Sequence, residues 1–156
     1  MQKKVLITGG SGLLAVNWTL SLLNKYSITL ILHNRKISIL GVNTETAPLN
    51  STKECLSILG KYRPDIVIHT VGLTDVEECE KKPDLATEVN AVLAGNIATA
   101  CNELNIKLVY ISTDHLFSGH DQKSTEEATV NPINVYAETK YLGELKVQEN
   151  CKDALI

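Results

Sequence analysis

Val5-Leu6-Ile7-Thr8-Gly9-Gly10-Ser11-Gly12-Leu13-Leu14-Ala15 is the stretch that decides the fold. A short apolar run ends in the breaker cluster Thr8-Gly9-Gly10. Leu14, Trp18 and Leu22 then recur at four-residue spacing, which predicts a helix over residues 13–23. Strand, glycine turn and helix in this order form the opening unit of an open α/β sheet. A tight strand-to-helix turn needs glycine, and the helix N-terminus offers free N–H groups to a pyrophosphate. Ala15, three positions after Gly12, is small enough to let the helix pack close. The spacing is G-x-x-G-x-x-A, not G-x-G-x-x-G, and a plain structural turn is the competing explanation. Its place in the first β-α unit favours a dinucleotide site.

The alternation continues outward from this unit. Residues 28–32, 66–68 and 108–111 are further apolar runs of strand length, and the ending Asp153-Ala154-Leu155-Ile156 reads as the start of one more. Residues 37–50 read as a loop containing Pro48. Ser51-Thr52-Lys53-Glu54 is a capping-box sequence that opens a short helix through Leu59. Pro83 suits the first turn of a long helix with Val89, Leu93, Ile97 and Cys101 along one face, and a last helix spans about 135–149. Residues 112–134 carry no strong period, and a loop of that length in a compact domain is usually functional. Strands that alternate with helices, and that need not alternate internally, imply a doubly wound parallel sheet covered by helices on both faces. Ligands of such sheets bind at the carboxyl ends of the strands, so the chemistry belongs just after each strand.

The length of 156 residues fits one domain, taken as 1–156, and excludes a (β/α)₈ barrel of about 250 residues. The composition, 44% hydrophobic and 21% charged, is that of a globular chain. Fifteen basic against eighteen acidic residues give a net charge of −3, which argues against nucleic acid as a partner. No apolar run reaches the roughly 18 residues of a membrane span, and the N-terminus has no signal-peptide pattern. Cys55, Cys79, Cys101 and Cys151 are dispersed, without zinc-type spacing, and suit a reducing, cytoplasmic setting. A chain that stops inside a rising strand signal reads as a piece of a longer protein.

Three further motifs sit where the fold demands chemistry. After the second strand, His33-Asn34-Arg35-Lys36 has no carboxylate to accept from an adenosine ribose, whereas Arg35 and Lys36 can meet a 2′-phosphate; NADP(H) is favoured, with NAD(H) an option. The bland alternative is a solvated basic turn. On the last helix Tyr136 and Lys140 stand at i and i+4 and share a face. A cation beside a phenol favours the phenolate, and such a Tyr can move the proton that accompanies hydride transfer. Five tyrosines and thirteen lysines give about 0.4 such pairs by chance in a chain of this length, so context must decide. That context is Ser112-Thr113-Asp114-His115-Leu116-Phe117 at the end of the fourth strand, where a hydroxyl can hold a substrate carbonyl against the phenol. Ser112 and Thr113 as mere turn residues are the alternative. His33, His69, His115 and His120 show no metal-ligand spacing and read as exposed or core-polar; no metal is expected. Asp75, Glu77, Glu78 and Glu80 precede a helix and suit its dipole.

With these residues assembled, the sequence resembles the extended short-chain dehydrogenase/reductase superfamily, and within it the dTDP-4-dehydrorhamnose reductase branch. The marks are the glycine turn, Pro64-Asp65-Ile66-Val67-Ile68-His69, Val89-Asn90-Ala91, Ser112 to Phe117, and Tyr136-xxx-Lys140 with Gly143-Glu144. The resemblance runs along essentially the whole chain and implies a Rossmann-like sheet whose C-terminal substrate domain is absent. It implies that Gly9, Gly12, Leu13 and Leu14 line the pyrophosphate turn, and that Thr70, Val71 and Gly72 pass beneath the cofactor. Thr113, Tyr136 and Lys140 would be catalytic, Tyr136 and Lys140 would also touch the cofactor, and Thr113 and Asp114 would lie at the substrate. Asn90 is read as structural. Ala15 stands where the family usually has a third glycine, and His115 where the rhamnose branch often has Tyr. The implied activity, belonging to the parent protein, is reduction of a 4-keto-6-deoxy nucleotide sugar, with such a sugar as substrate and a homodimer left open; the chain by itself is expected to be inactive, because half of the substrate site is missing. Two alternatives keep the fold: a non-catalytic, cofactor-binding regulatory subunit like the methionine adenosyltransferase β subunit, or a nucleotide-sugar epimerase or dehydratase.

Overall fold

A computed structural model describes residues 2–117, 119, 125 and 127–156. Strands β1 (Lys4–Thr8), β2 (Ser27–Leu32), β3 (Asn43–Thr46), β4 (Ile66–His69), β5 (Lys107–Tyr110) and β6 (Ala154–Leu155) form one sheet in the order β3-β2-β1-β4-β5-β6. All five pairings are parallel. The order reverses direction at β1 and β4, which makes the gap above their carboxyl ends the binding crevice of this Rossmann-like sheet.

The sheet is buried on both faces because its central strands are apolar on both. Val5, Ile7, Leu30 and Ile68 pack with Ala15 and Trp18 of α1 (Leu13–Leu22). Leu6, Val67, Leu108 and Tyr110 face the other way, toward α2 (Thr52–Tyr62), α5 (Leu93–Glu103) and α6 (Val135–Asn150). The capping box reads as expected: Ser51 Oγ accepts from Glu54 N and Glu54 reaches back to Ser51 N. The helix it opens runs three residues beyond Leu59, to Tyr62, and Arg63 in a left-handed conformation (φ 46°) ends it. All four cysteines are free thiols in the buried interior. Among the described residues, no helix is long and apolar enough to cross a membrane.

Three expectations are corrected. Residues 43–46, read as loop, form β3. Asn-Thr-Glu-Thr has no apolar face because β3 is an exposed edge strand, and Glu45 ties it to Lys61 (2.5 Å) and Tyr62 of α2. The long helix from Pro83 is preceded by a separate turn of helix, α3 (Val76–Lys81), and is itself interrupted. After α4 (Pro83–Thr87) it widens into a π-turn over Glu88–Val92, where Leu93 N donates to Glu88 O, before continuing as α5. Within α5 the stripe holds, Leu93 packing against the same cluster as the buried Ile97 and Cys101; Val89, inside the wide turn, is half-buried and lines the crevice with Leu93. Segment 112–134 begins with a 3₁₀ turn, Asp114–Leu116; residues 118, 120–124 and 126, His120 included, lie outside the described residues.

Helix α6 meets the sheet at Gly143. A Cβ there would collide with the Asn90 carbonyl oxygen and the Tyr110 hydroxyl, so only glycine lets the helix lie this close. Gly60, inside α2, has open space where its Cβ would be. Gly143→Ala is therefore expected to cost about 2 kcal/mol through overpacking, and Gly60→Ala to add about 1 kcal/mol through helix propensity. Urea denaturation of the two variants beside the parent checks both signs.

Candidate active site

The cofactor crevice starts at the turn after β1. Gly9 has φ +67°, and a Cβ on it would stand 2.9 Å from Thr70 Oγ1, so the turn after β1 and the turn after β4 can touch only through glycine. Thr70 Oγ1 donates to Thr8 O (2.7 Å), and Gly10 N donates to Ile31 O (2.9 Å), which fixes the turn against both neighbouring strands. Gly12 is the N-cap of α1 without a side-chain cap, so the first N–H groups of that helix are left for an anion. Leu13 and Leu14 follow, both exposed. A cavity of about 180 Å³ lies between Gly9, Val71, the end of β2 and the Val89–Leu93 edge of the π-turn. Arg35 and Lys36 are exposed just beyond the end of β2 and are in no ion pair among the described residues.

The candidate catalytic residues gather at the end of β5. Asn134 caps α6 by accepting from Ala137 N (2.8 Å), and Glu80 Oε1 accepts from Val135 N (2.8 Å), so the helix start is held from two sides. Its second residue, Tyr136, lies edge-to-face with His115, ring centroids 5.6 Å apart at 84°. His115 belongs to the turn that Thr113 caps, Thr113 Oγ1 accepting from His115 N (3.3 Å). That leaves the Thr113 hydroxyl hydrogen available to another acceptor. One turn further along α6, the buried Lys140 donates to Ile111 O (2.6 Å), and its Nζ lies 4.2 Å from the centre of the Tyr110 ring. Thr113, Tyr136 and Lys140 are thus drawn to one strand end. Asp114 is exposed on the same turn.

The sequence reading underrated the layer beneath. Asn90, on the π-turn, accepts from Leu73 N (2.7 Å) and donates to Leu73 O (3.1 Å) and Thr139 Oγ1 (3.0 Å). It clamps the loop that carries Thr70, Val71 and Gly72 to the helix that carries Tyr136 and Lys140, which makes its structural reading correct but incomplete. Tyr110 OH donates to Asn90 O (3.2 Å). His69 is wholly buried, 2.8 Å from Thr8 Oγ1 through Nδ1; burial, with the nearby Lys140 charge, holds its pKa at about 3 and so keeps it neutral. The signal for it was present: a histidine directly closing an apolar strand. Asp75, as expected of the acidic run, caps α3 by accepting from Glu78 N (2.9 Å). Among the described residues no three His, Cys, Asp or Glu side chains are placed to hold a metal.

Comparison with known proteins gives the family. The family model described as the RmlD substrate binding domain matches residues 3–156. The chain belongs to this family. A dTDP-4-dehydrorhamnose reductase of Escherichia coli strain K12 is 39% identical over 95 residues, 60% of this chain and 32% of that protein. The methionine adenosyltransferase 2 subunit beta of Rattus norvegicus is 29% identical over 150 residues, 95% of this chain and 43% of that protein. Among solved structures, the dTDP-4-dehydrorhamnose reductase of Bacillus anthracis str. Ames in complex with NADP superposes with a TM-score of 0.85 at 31% identity, over 99% of this chain and 52% of that one. The matched residues cover about a third to a half of the length of these proteins.

Burial drives the Lys140 pKa down from 10.5 to about 8, with Glu144 one turn away opposing the shift. The unfolded chain binds this proton more firmly than the folded one, so the folded state is penalised below pH 8 and gains stability as pH rises from about 8 to 10.5. Removing the ammonium as Lys140→Met should erase a rise of roughly 3 kcal/mol across that window. Denaturation curves of both chains between pH 7 and 10.5 measure it; parallel curves would assign the rise to other groups.

Proposed function

We propose that this chain is the cofactor-binding part of an NADP(H)-dependent reductase of the short-chain dehydrogenase/reductase type, acting on a 4-keto-6-deoxy nucleotide sugar. The observation that carries the reading is the convergence of Thr113, Tyr136 and Lys140 on the carboxyl end of β5. The family and the NADP-bound relative support it.

The chain fits the cofactor. Gly9, Gly12, Leu13 and Leu14 would hold the pyrophosphate at the start of α1, and the cradle at Gly9 is one that a Cβ would fill. Arg35 and Lys36 would meet the 2′-phosphate. Thr70, Val71 and Gly72 would pass under the nicotinamide half, and Lys140 would hydrogen-bond its ribose. Bound here, the dihydronicotinamide supplies the hydride. The residues of the chain handle the oxygen. Thr113 donates a hydrogen bond to the keto oxygen, and Tyr136 gives its phenolic proton to that oxygen as it becomes an alkoxide. Asp114, exposed on the same turn, would face the sugar. Lys140, still charged at neutral pH, stabilises the phenolate that remains.

The likeness to the methionine adenosyltransferase β subunit over 95% of the chain favours one second reading, a cofactor-binding regulatory subunit. Two measurements separate the readings. In the full-length protein, the reductase reading expects Tyr136→Phe to abolish NADPH-dependent reduction of 4-keto nucleotide sugars, with NADPH affinity within about threefold of the parent. A full-length protein that binds NADPH and reduces no such sugar supports the regulatory reading instead. In the cofactor titration, NADPH should bind ten- to a hundred-fold more tightly than NADH, from about 1.5–3 kcal/mol of charge-assisted contact. Arg35→Ala should remove most of that preference, and equal affinities in the parent would refute the role of Arg35 and Lys36.

A further inference from the structure

Two buried side-chain atoms lack a partner among the described residues, His69 Nε2 and Ser112 Oγ. They stand at the carboxyl ends of two neighbouring strands, β4 and β5. His69 is level with Tyr110 in the β4–β5 register, and the pairing continues past β5 as Ile111 N donates to His69 O (3.2 Å). Ser112 directly follows Ile111, whose carbonyl oxygen accepts from Lys140 Nζ. The imidazole lies nearly parallel to the Tyr110 ring, 16° and 6.0 Å between centroids, and Lys140 Nζ stands over that same ring. Two orphan polar atoms and one buried ammonium thus share one small patch of the sheet.

The chemistry of the three is complementary. An ammonium has three N–H donors, and Lys140 spends one on Ile111 O. A buried charge needs further acceptors. His69 Nδ1 is engaged with Thr8 Oγ1 on β1, on the opposite side of β4 from β5, so Nε2 is on the part of the ring not turned to Thr8. With the proton on Nδ1, that nitrogen carries a lone pair that one water can link to the cation. The other tautomer would place an N–H on the side of the ammonium, adding a buried donor where an acceptor is needed. The charged group that faces Lys140 from its own helix is Glu144, one turn on. It leaves the sheet side of the ammonium to His69 and Ser112.

We propose that His69 is a positioning residue for Lys140: held by Thr8 with its proton on Nδ1, it presents the Nε2 lone pair as a second acceptor for the ammonium across one water shared with Ser112 Oγ. The neutral state of the imidazole suits this role, since a second cation there would expel the first. The consequence for binding rests on Lys140 as a cofactor residue; the tautomer does not.

Two experiments test it, the first without any cofactor. Imidazole ¹⁵N spectra of the chain, assigned by single replacement of the histidines, should show His69 bare at Nε2 and protonated at Nδ1. The Nε2 resonance should move toward that of a free lone pair in Lys140→Met, and in the parent titrated above pH 8, which discharges Lys140 in place should the variant not fold. A proton on Nε2 overturns the proposal, as does an Nε2 signal indifferent to both changes. In the second, NADPH titrations against pH compare His69→Phe, which keeps the ring and loses the lone pair, with His69→Gln, whose amide oxygen can accept. The Phe variant should bind about tenfold more weakly and lose affinity at lower pH than the parent, while the Gln variant should recover most of both. Equal loss in the two variants would reduce His69 to packing and refute the role. A parent that binds no NADPH refutes the reductase reading and leaves the ¹⁵N result to decide His69.

Discussion

Everything at the carboxyl edge of the sheet depends on one close approach, that of α6 to Asn90 and Tyr110 at Gly143. With no side chain between them, the helix backbone reaches the Asn90 carbonyl and the Tyr110 hydroxyl. That hydroxyl in turn bonds Asn90 O at 3.2 Å and Lys140 O at 3.5 Å. Tyr110 is wholly buried, and burial raises its phenol pKa, so it stays a neutral donor. The helix is thereby fixed along its length as well as in its distance from the sheet. Tyr136 and Lys140, two turns and one turn N-terminal to this contact, inherit their positions from it.

The site is built in two storeys. Below lies a polar layer of Thr8, His69, Tyr110, Asn90 and Thr139, closed almost entirely upon itself by hydrogen bonds. Above lie the groups free to act: the Thr113 hydroxyl hydrogen, the Tyr136 phenol, and the N–H groups opening α1. Such a division has a physical basis. Buried polar groups fully satisfied by one another rigidify their surroundings, and catalytic groups held on rigid ground need little reorganisation when charge develops. Lys140 belongs to both storeys, anchored to Ile111 O from below and charged at neutral pH.

How much of this the sequence disclosed follows from which forces leave a local trace. The β1 turn, the capping box at Ser51 and the Tyr136–Lys140 pair were legible because each is a short-range pattern with one physical cause. Strand β3 was not, since Asn43–Thr46 is polar and exposed and its stability comes from pairing with β2 and from the bonds of Glu45 to α2. The π-turn was hidden for a different reason: residues 83–103 fit a regular helix well, and the wide turn is imposed by contacts with residues far away in the chain. Asn90 shows the same limit. Its type suits a cap or a turn, and only the fold reveals that it faces Leu73 and Thr139 at once.

The wide turn also bears on how this chain tolerates insertion and deletion. Each helical residue advances the azimuth by about 100°. The surplus residue in Glu88–Val92 therefore sets the phase of α4 relative to α5. Shortening the segment by one residue would restore regular i→i−4 bonding, improving the helix by every local measure. It would also rotate Asn90 off the Leu73 loop and swing Val89 out of the crevice wall. Local regularity and the crevice are thus in competition at this point, and a length change too small to register in composition would trade one for the other.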